Sequence, residues 1–140
     1  RNNVFMINAF SSQIFPICSD HESASKNILQ PGALADVYIP SGWMPPEALV
    51  EFLKNCQDSN DRPLCVGFGS MPFQKTNELI DALDKLNRRT IVVGNGISID
   101  KGNDTELFFQ THSVPYAWLL PQCSMMLSHG GAGVFHTTLR

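Results

Sequence analysis

The sequence predicts an α/β fold in which helices cover both faces of a parallel sheet. Short apolar segments of strand length alternate with amphipathic segments of helix length from about residue 45 onward. Three of the predicted strands end in loops that contain glycine. Charged residues make up only 16% of the 140 residues. An average domain has about a quarter, so the low value suits a sheet that is buried on both faces.

The first third of the chain gives weaker signals. Residues Val4–Phe10 form an apolar run that predicts a buried strand, whereas prolines and glycine interrupt residues 11–35, which predict no regular element. Residues 36–39 are compatible with a short strand. We therefore expect residues 1–42 to hold the end of one domain with an interdomain linker, and residues 43–140 to hold part of a second domain.

The second domain begins with a predicted helix. Pro45 and Pro46 stand where the first turn of a helix tolerates proline, and an apolar stripe continues to about Cys56. The elements predicted after it are strand Pro63–Phe68, helix Lys75–Asn87, strands Thr90–Val93, Glu106–Gln110 and Ser124–Ser128, and a helix-like tail Val134–Arg140. The proline-rich segment Val114–Pro121 predicts no regular helix. Alternation at this spacing is typical of right-handed crossovers in a Rossmann-like sheet.

The segment Ser128–Gly133 is predicted to be the functional centre. It follows the apolar run 123–127, contains three glycines and precedes the helix-like tail. A glycine turn between a strand and a helix forms an anion pocket, because the first helical amides lack acceptors and the helix dipole favours negative charge there. His129 adds a side-chain donor. We interpret this segment as a nucleotide diphosphate site at the carboxyl end of the sheet.

Two other enzyme classes fit the motifs less well. The segment Gly67–Pro72 invites a dinucleotide-binding interpretation, but Pro72 replaces the third glycine of that fingerprint. The loop His129–Ala132 resembles the oxyanion loop of lipases and esterases, but the serine elbow of that fold is absent from the sequence. An ordinary tight turn after Val66 and a histidine that only caps a strand end also stay open.

Composition argues against nucleic acid and metal as partners. The formal net charge is -3 and no cluster of Lys or Arg is present. The four cysteines are scattered without metal-ligand pairs, and Asp58–Asp61 is better explained as a solvated turn. Cys65 and Cys123 lie in or beside predicted strands, which indicates reduced thiols and a cytoplasmic location, with peripheral membrane contact left open. Neither a signal peptide nor an apolar run of about 18 residues is visible.

Three segments together resemble a known enzyme family. Val66–Met71, Val114–Pro121 and Met126–Gly133 are similar, in this order, to motifs of the nucleotide-sugar glycosyltransferases of the UDP-glucosyltransferase superfamily, and most of all to its sterol glucosyltransferase branch. The resemblance covers roughly Trp43 to Arg140. It implies a GT-B architecture, in which two Rossmann-like domains face a cleft. This chain, which we expect to be an excerpt, would supply the linker and the first part of the C-terminal donor domain, with the N-terminal domain packed across the cleft.

The resemblance also implies roles for individual residues. The residues expected to hold the donor diphosphate are Ser70, His129, Gly131, Ala132 and Gly133. Trp118 would stack on the uracil, and the backbone near Pro115 and Leu119 would hold the edge of the base. The reaction implied is inverting transfer of a hexose from a UDP-sugar to the hydroxyl of a lipid-like acceptor such as a sterol. The resemblance implies that the hexose is glucose. The UDP-sugar is a co-substrate, and no metal or other cofactor is implied.

Two features depart from the family pattern. Val134 stands where the family usually has Thr or Ser to bind phosphate. The catalytic base of the family is a histidine of the N-terminal domain, and none of His21, His112 and His136 stands at its place. We therefore expect no catalytic residue in this chain, which alone should be inactive. The alternative is a non-catalytic UDP-sugar-binding paralogue, or a subunit of a split glycosyltransferase.

Overall fold

The computed structural model describes residues 5–17, 27–32, 38–69, 71–99 and 106–139. The chain divides into two compact units, Arg1–Ala35 and Asp36–Arg140. Ser70, which is predicted to lie beside the diphosphate, is outside the described residues, as are residues 36–37 of the short strand expected at 36–39. The remaining two residues of that segment, Tyr38 and Ile39, are not in a strand.

The first unit contains a two-stranded parallel sheet. Strand β1 is Met6–Ile7 and strand β2 is Ile28–Leu29, with Met6 opposite Ile28. The prediction of a long buried strand at Val4–Phe10 is wrong, because only two of the described residues 5–10 pair and Phe5, Met6 and Ile7 are 70%, 55% and 66% exposed. Strand β2 contradicts the prediction that residues 11–35 hold no regular element. A strand of two residues is too short to show a periodic pattern in the sequence.

The second unit alternates strands and helices nearly as predicted. Its elements are α1 (Glu47–Asp58), β3 (Leu64–Gly67), α2 (Thr76–Leu86), β4 (Thr90–Val93), β5 (Phe108–Thr111), α3 (Tyr116–Leu119), β6 (Met125–Ser128) and α4 (Ala132–Thr138). The prediction of no helix within residues 114–121 is wrong. Pro115 occupies the N-cap of α3 and Pro121 lies in the 3₁₀ turn Leu120–Gln122, and at neither place is a proline amide required.

Local sequence explains where the two longer helices begin and end. Pro46 precedes α1 with an extended backbone, and Glu47 places an acidic side chain in the first turn, where the helix dipole favours it. Helix α2 ends at Asn87, whose φ of 49° is in the left-handed region that asparagine tolerates better than most residues. Lys85 complements the dipole in the last turn of α2.

The four strands of the second unit form one parallel sheet in the order β5-β4-β3-β6. Gly67 lies opposite both Val93 and Ser128, and Val93 lies opposite Thr111, so the four strands end level with one another. The chain adds β4 and β5 on one side of β3 and then returns to place β6 on the other side. The topological switch point therefore lies between β3 and β6.

Buried side chains alternate between the two faces of this sheet. One cluster combines Cys65, Ile91 and Val93 of the strands with residues of α1 and α3. The opposite cluster combines Leu64, Val66 and Val92 with Leu83 of α2. Because successive strand residues point to opposite faces, both faces need a covering helix layer. The predicted α/β class, a Rossmann-like parallel sheet with helices on both faces, is confirmed.

Strand β6 is less buried than the sequence suggests. The apolar run Met125–Leu127 predicts core packing, yet Met125 is 63% and Leu127 is 38% exposed. Only the side chain between them, Met126, packs against the core cluster of α1 and α3. The prediction is wrong for the two outer residues because β6 is at the edge of the described sheet, where one side chain in two faces a covered surface.

Candidate functional site

The carboxyl ends of the four strands place four loops at one edge of the sheet. The first residues after the level row are Phe68, Gly94, His112 and His129, which follow β3, β4, β5 and β6. Ligands of open α/β sheets bind outside this edge, at the topological switch point. His129 follows β6 directly at that point, as the sequence predicts for the functional segment.

The imidazole of His129 lies between the loops that follow β3 and β6. A Cβ atom built on Gly69 would be 3.5 Å from its Cε1, and a Cβ atom built on Gly131 would be 2.5 Å from its Nε2. His129 itself is exposed. The absence of a side chain at Gly131 thus makes room for the ring, which lies at the switch point.

The glycine loop leads from His129 into α4. The hydroxyl oxygen of Ser128 accepts a hydrogen bond of 3.2 Å from the amide of Gly130, whose φ of 76° suits glycine. Gly131 is the N-cap of α4 and forms no side-chain cap. The amides of the first turn have no acceptor within the helix. The predicted diphosphate residues His129, Gly131, Ala132 and Gly133 therefore lie together, and their role in binding stays a prediction.

Helix α4 offers amides rather than hydroxyls at its start. The hydroxyl of Thr137 donates a hydrogen bond of 2.8 Å to the carbonyl oxygen of Gly133, and the hydroxyl of Thr138 donates one of 2.8 Å to the carbonyl oxygen of Val134. Both threonine side chains thus bond back along the helix. Val134 carries no hydroxyl in the first turn, where the family pattern usually has Thr or Ser.

The residues predicted to hold the base lie in and beside α3. The Trp118 indole packs edge-on against Trp43 with ring centroids 5.2 Å apart. Pro115 accepts hydrogen bonds from the amides of Trp118 and Leu119, and the Leu119 side chain is fully buried. Trp118 lines a groove with four residues of α1 and one of the 3₁₀ turn: Val50, Leu53, Lys54, Gln57 and Gln122. Because none of these comes from the carboxyl-end loops, base binding by Trp118, Pro115 and Leu119 stays a prediction without geometric support.

A cavity of about 460 Å³ lies among the carboxyl-end loops themselves. Its lining residues are Gly69, Pro72, Gly94, Asn95, Gly96 and His112. The loops after β3 and β4 are in close contact there. The Phe73 amide donates a hydrogen bond of 3.1 Å to the carbonyl oxygen of Gly96. A Cβ atom built on Gly96 would be 2.5 Å from the Met71 carbonyl oxygen. Gly69 also lies against the His129 ring, so the cavity is next to the predicted diphosphate site.

Sequence reasoning did not predict that the polar side chains of Asn95 and His112 line this cavity. Nδ1 of His112 and Oδ1 of Asn95 are 2.6 Å apart, which makes a short side-chain hydrogen bond. The sequence signals were weak: the predicted strand ended at Gln110, and Asn95 was part of an unassigned glycine loop. The pairing depends on β4 and β5 being neighbours, which periodicity does not reveal.

Other titratable groups near the sheet contribute to packing. Tyr116 lies against Gly67, and burial, together with the nearby Cys65, raises the pKa of the Tyr116 phenol to about 12. The hydrogen bond with Cys123 and burial raise the pKa of the Cys65 thiol. Burial also raises the pKa of Cys56. A neutral phenol and protonated thiols are not primed to remove a proton or attack a carbon at neutral pH.

Two kinds of feature are absent from the described residues. No group of three or more His, Cys, Asp or Glu side chains there is arranged to hold a metal ion. In the same part of the chain, no helix has both the length and the apolar character needed to cross a membrane.

We expect Gly131→Ala to displace the imidazole of His129. The backbone of Gly131 (φ -59°, ψ 137°) is open to alanine, but the new methyl group would collide with Nε2. The imidazole signals of His129 in proton–carbon NMR spectra should shift, and affinity for UDP should fall about three- to tenfold, as for a weakened hydrogen bond. Gly133→Ala is the control for the NMR measurement, because a Cβ there meets nothing within 4 Å. An unmoved imidazole in Gly131→Ala would contradict the described geometry.

Comparison with known proteins identifies several sterol 3-beta-glucosyltransferases with similar sequences. A sterol 3-beta-glucosyltransferase of Arabidopsis thaliana is 33% identical over 100 residues, which is 68% of this chain and 15% of that protein. A second one from the same plant is 30% identical over 121 residues, covering 78% of this chain and 19% of that protein. A sterol 3-beta-glucosyltransferase of Pichia angusta is 31% identical over 109 residues, covering 70% of this chain and 9% of that protein. The chain thus spans less than a fifth of each relative. No family model matches the sequence.

Proposed function

Since the chain is sterol glucosyltransferase-like over 68% to 78% of its length, we propose that it forms the donor-binding part of a UDP-sugar-dependent glycosyltransferase. The full protein would transfer glucose from UDP-glucose to the hydroxyl of a lipid-like acceptor such as a sterol. The observation that carries this proposal is the exposed imidazole of His129 at the switch point, beside Gly69 and the glycine loop that starts α4. An acceptor-binding N-terminal domain would pack across the cleft.

The proposed chemistry is a single displacement with inversion. The acceptor oxygen forms a bond to the anomeric carbon while the bond from that carbon to the UDP oxygen breaks, and UDP leaves with the bonding electrons. The hydroxyl proton goes to a base that we assign to the N-terminal domain. Negative charge grows on the β-phosphate during the step. His129 and the amides of Gly131, Ala132 and Gly133 would stabilise that charge without having to reorganise.

A specific observation favours a second candidate, a non-catalytic UDP-sugar-binding paralogue or a subunit of a split glycosyltransferase. The first turn of α4 presents Val134, and the Thr137 and Thr138 hydroxyls are committed to helix carbonyl oxygens. The diphosphate would therefore have one hydroxyl contact fewer than in the family pattern. Such a protein would bind UDP without transferring a sugar.

Calorimetric titration of the 140-residue chain with UDP tests the proposal that it binds the donor. We expect saturable binding at millimolar UDP or below, and a titration without saturable heat would contradict donor binding. Transfer of labelled glucose from UDP-glucose to a sterol by the full-length protein then separates the two candidates. Formation of the glucoside supports the transferase, whereas UDP binding without product supports the non-catalytic alternative.

A further inference from the structure

We propose that Gln110 of β5 is a positioning residue for the imidazole of His129, which follows β6 at the opposite edge of the four-stranded sheet. Its carboxamide fixes the loop after β4, residues 94–99. That loop supports the loop after β3, and the imidazole lies beside the loop after β3. The inference rests on the proposed donor-binding function and adds to it a residue outside the predicted diphosphate contacts.

The Gln110 side chain bonds to the backbone of the loop after β4. Its Oε1 accepts a hydrogen bond of 3.1 Å from the Ile99 amide, and its Nε2 donates one of 2.7 Å to the carbonyl oxygen of Ile97. Nε2 is also 3.5 Å from the carbonyl oxygen of Gly94. An amide N–H can only donate and a carbonyl oxygen can only accept, so these partners fix the orientation of the carboxamide. One side chain thus holds the second half of the loop and reaches its first residue.

Strand β5 places Gln110 on the face of the sheet where this loop is anchored. Phe108 and Gln110 are two positions apart in β5, so their side chains point to the same face. Phe108 and Ile97 belong to one buried cluster, and Ile99 packs against it. The carboxamide therefore pairs the backbone groups of two residues whose side chains are held by the core. Backbone groups that lose their partners beside a core destabilise the local conformation, so an apolar side chain cannot replace Gln110 without a change in the loop.

The loop after β4 contacts the loop after β3 through backbone atoms. A Cβ atom built on Gly94 would be 3.4 Å from the carbonyl oxygen of Gly69, and one built on Gly96 would be 2.5 Å from the carbonyl oxygen of Met71. The Phe73 amide bonds to the carbonyl oxygen of Gly96. At the two glycines no side chain lies between the loops that could absorb a displacement. A shift of residues 94–96 would therefore be passed to the loop after β3.

Gly69 is the point at which this contact reaches His129. A Cβ atom on Gly69 would be 3.5 Å from Cε1 of the imidazole, and a Cβ atom on Gly131 would be 2.5 Å from its Nε2. The ring thus lies between two glycines. Displacement of Gly69 would remove one of these two supports and let the ring turn. Because the strength of a hydrogen bond depends on its direction, a donor that is free to turn binds an anion less tightly.

The test replaces Gln110 by methionine, which keeps the length of the side chain but forms neither hydrogen bond. We expect the imidazole signals of His129 in proton–carbon NMR spectra to shift. Affinity of the 140-residue chain for inorganic pyrophosphate, measured by calorimetric titration, should fall about three- to tenfold. The spectrum of His129→Ala lacks these signals and so assigns them. Gln110→Glu keeps an acceptor for the Ile99 amide but loses the donor, and it should shift the same signals. Gln110 is exposed, so both variants should fold, which circular dichroism verifies.

Gln122→Met is the matched control. Nε2 of Gln122 also donates to a backbone carbonyl oxygen, that of Trp118 at 3.0 Å, but it lies in the 3₁₀ turn, outside the carboxyl-end loops. His112→Phe is a second control, since the imidazole of His112 bonds to the side chain of Asn95 and leaves the loop backbone bonded to Gln110. Both controls should leave the affinity for pyrophosphate unchanged, and Gln122→Met should also leave the His129 signals in place.

The outcomes separate this inference from the proposed function. Unmoved His129 signals in folded Gln110→Met and Gln110→Glu would overturn it, and so would an equal shift in Gln122→Met. If the unmodified chain binds pyrophosphate, a shift in Gln110→Met without a loss of affinity would also overturn it. If the unmodified chain does not bind pyrophosphate, the donor-binding function fails, and the His129 signals still decide whether Gln110 positions the ring.

Discussion

We expect His129→Ala to weaken binding of UDP to this chain by roughly ten- to a hundredfold. A hydrogen bond to a charged group is worth about 1.5–3 kcal/mol, and each 1.4 kcal/mol is about a tenfold change in affinity. The imidazole is exposed beside Gly69 and Gly131, so its removal should leave the fold intact. Calorimetric titration with UDP and with inorganic pyrophosphate measures the effect, and both ligands should lose affinity to a similar degree.

His112→Phe provides the matched comparison for this prediction. It removes an exposed imidazole at the other end of the same strand row, away from the glycine loop, so we expect no effect on pyrophosphate affinity. His129→Gln keeps an N–H donor near the same place and should recover part of the lost affinity. If His129→Ala bound UDP and pyrophosphate as tightly as the unmodified chain, the diphosphate assignment would have to be abandoned.

The largest effect on stability is expected from Leu49→Ala. Leu49 is 0% exposed at the centre of the cluster that joins α1 to one face of the sheet. Truncation of a buried leucine to alanine lowers the free energy of unfolding by about 2–5 kcal/mol, because it removes apolar contacts and leaves a cavity. Urea unfolding followed by circular dichroism would measure the loss.

Val50→Ala is the control for Leu49→Ala. Val50 is the next residue of α1 and is 45% exposed, so its truncation should change the free energy of unfolding by about 0.5 kcal/mol or less. Equal losses in the two variants would show that α1 does not cover the sheet through Leu49. The result bears on function, since β3 and β4 hold the loops that line the cavity and α1 packs beneath them.

Local patterns were sufficient to predict most of the second unit. Helix α1 follows its two prolines, α2 shows a clear apolar stripe, and β4 occupies the predicted residues 90–93. The loop of His129 was found from the apolar run and the glycines around it, because strand, turn and helix signals are adjacent in sequence. These features depend on residues within a few positions of one another, which is the range over which periodicity carries information.

The sequence failed where packing partners are distant. The exposure of Met125 follows from the place of β6 at the edge of the described sheet. The indole of Trp118 packs on Trp43, which is 75 positions earlier in the chain and carries no signal of that contact. The expectation of a base platform at Trp118 depended on the family resemblance, because an aromatic residue in such a proline-rich loop can stack on a base but more often packs in the core.

The sequence by itself determined the alternation of strands and helices and the glycine loop that places His129 after a strand, because backbone preferences and apolar spacing are local. Only the tertiary structure decided which strands are neighbours and at what level they end. That pairing is set by side chains packed between the sheet and its helices, not by any single segment. It brings His112 to Asn95 across 17 positions of the chain, and both residues line the cavity beside Gly69.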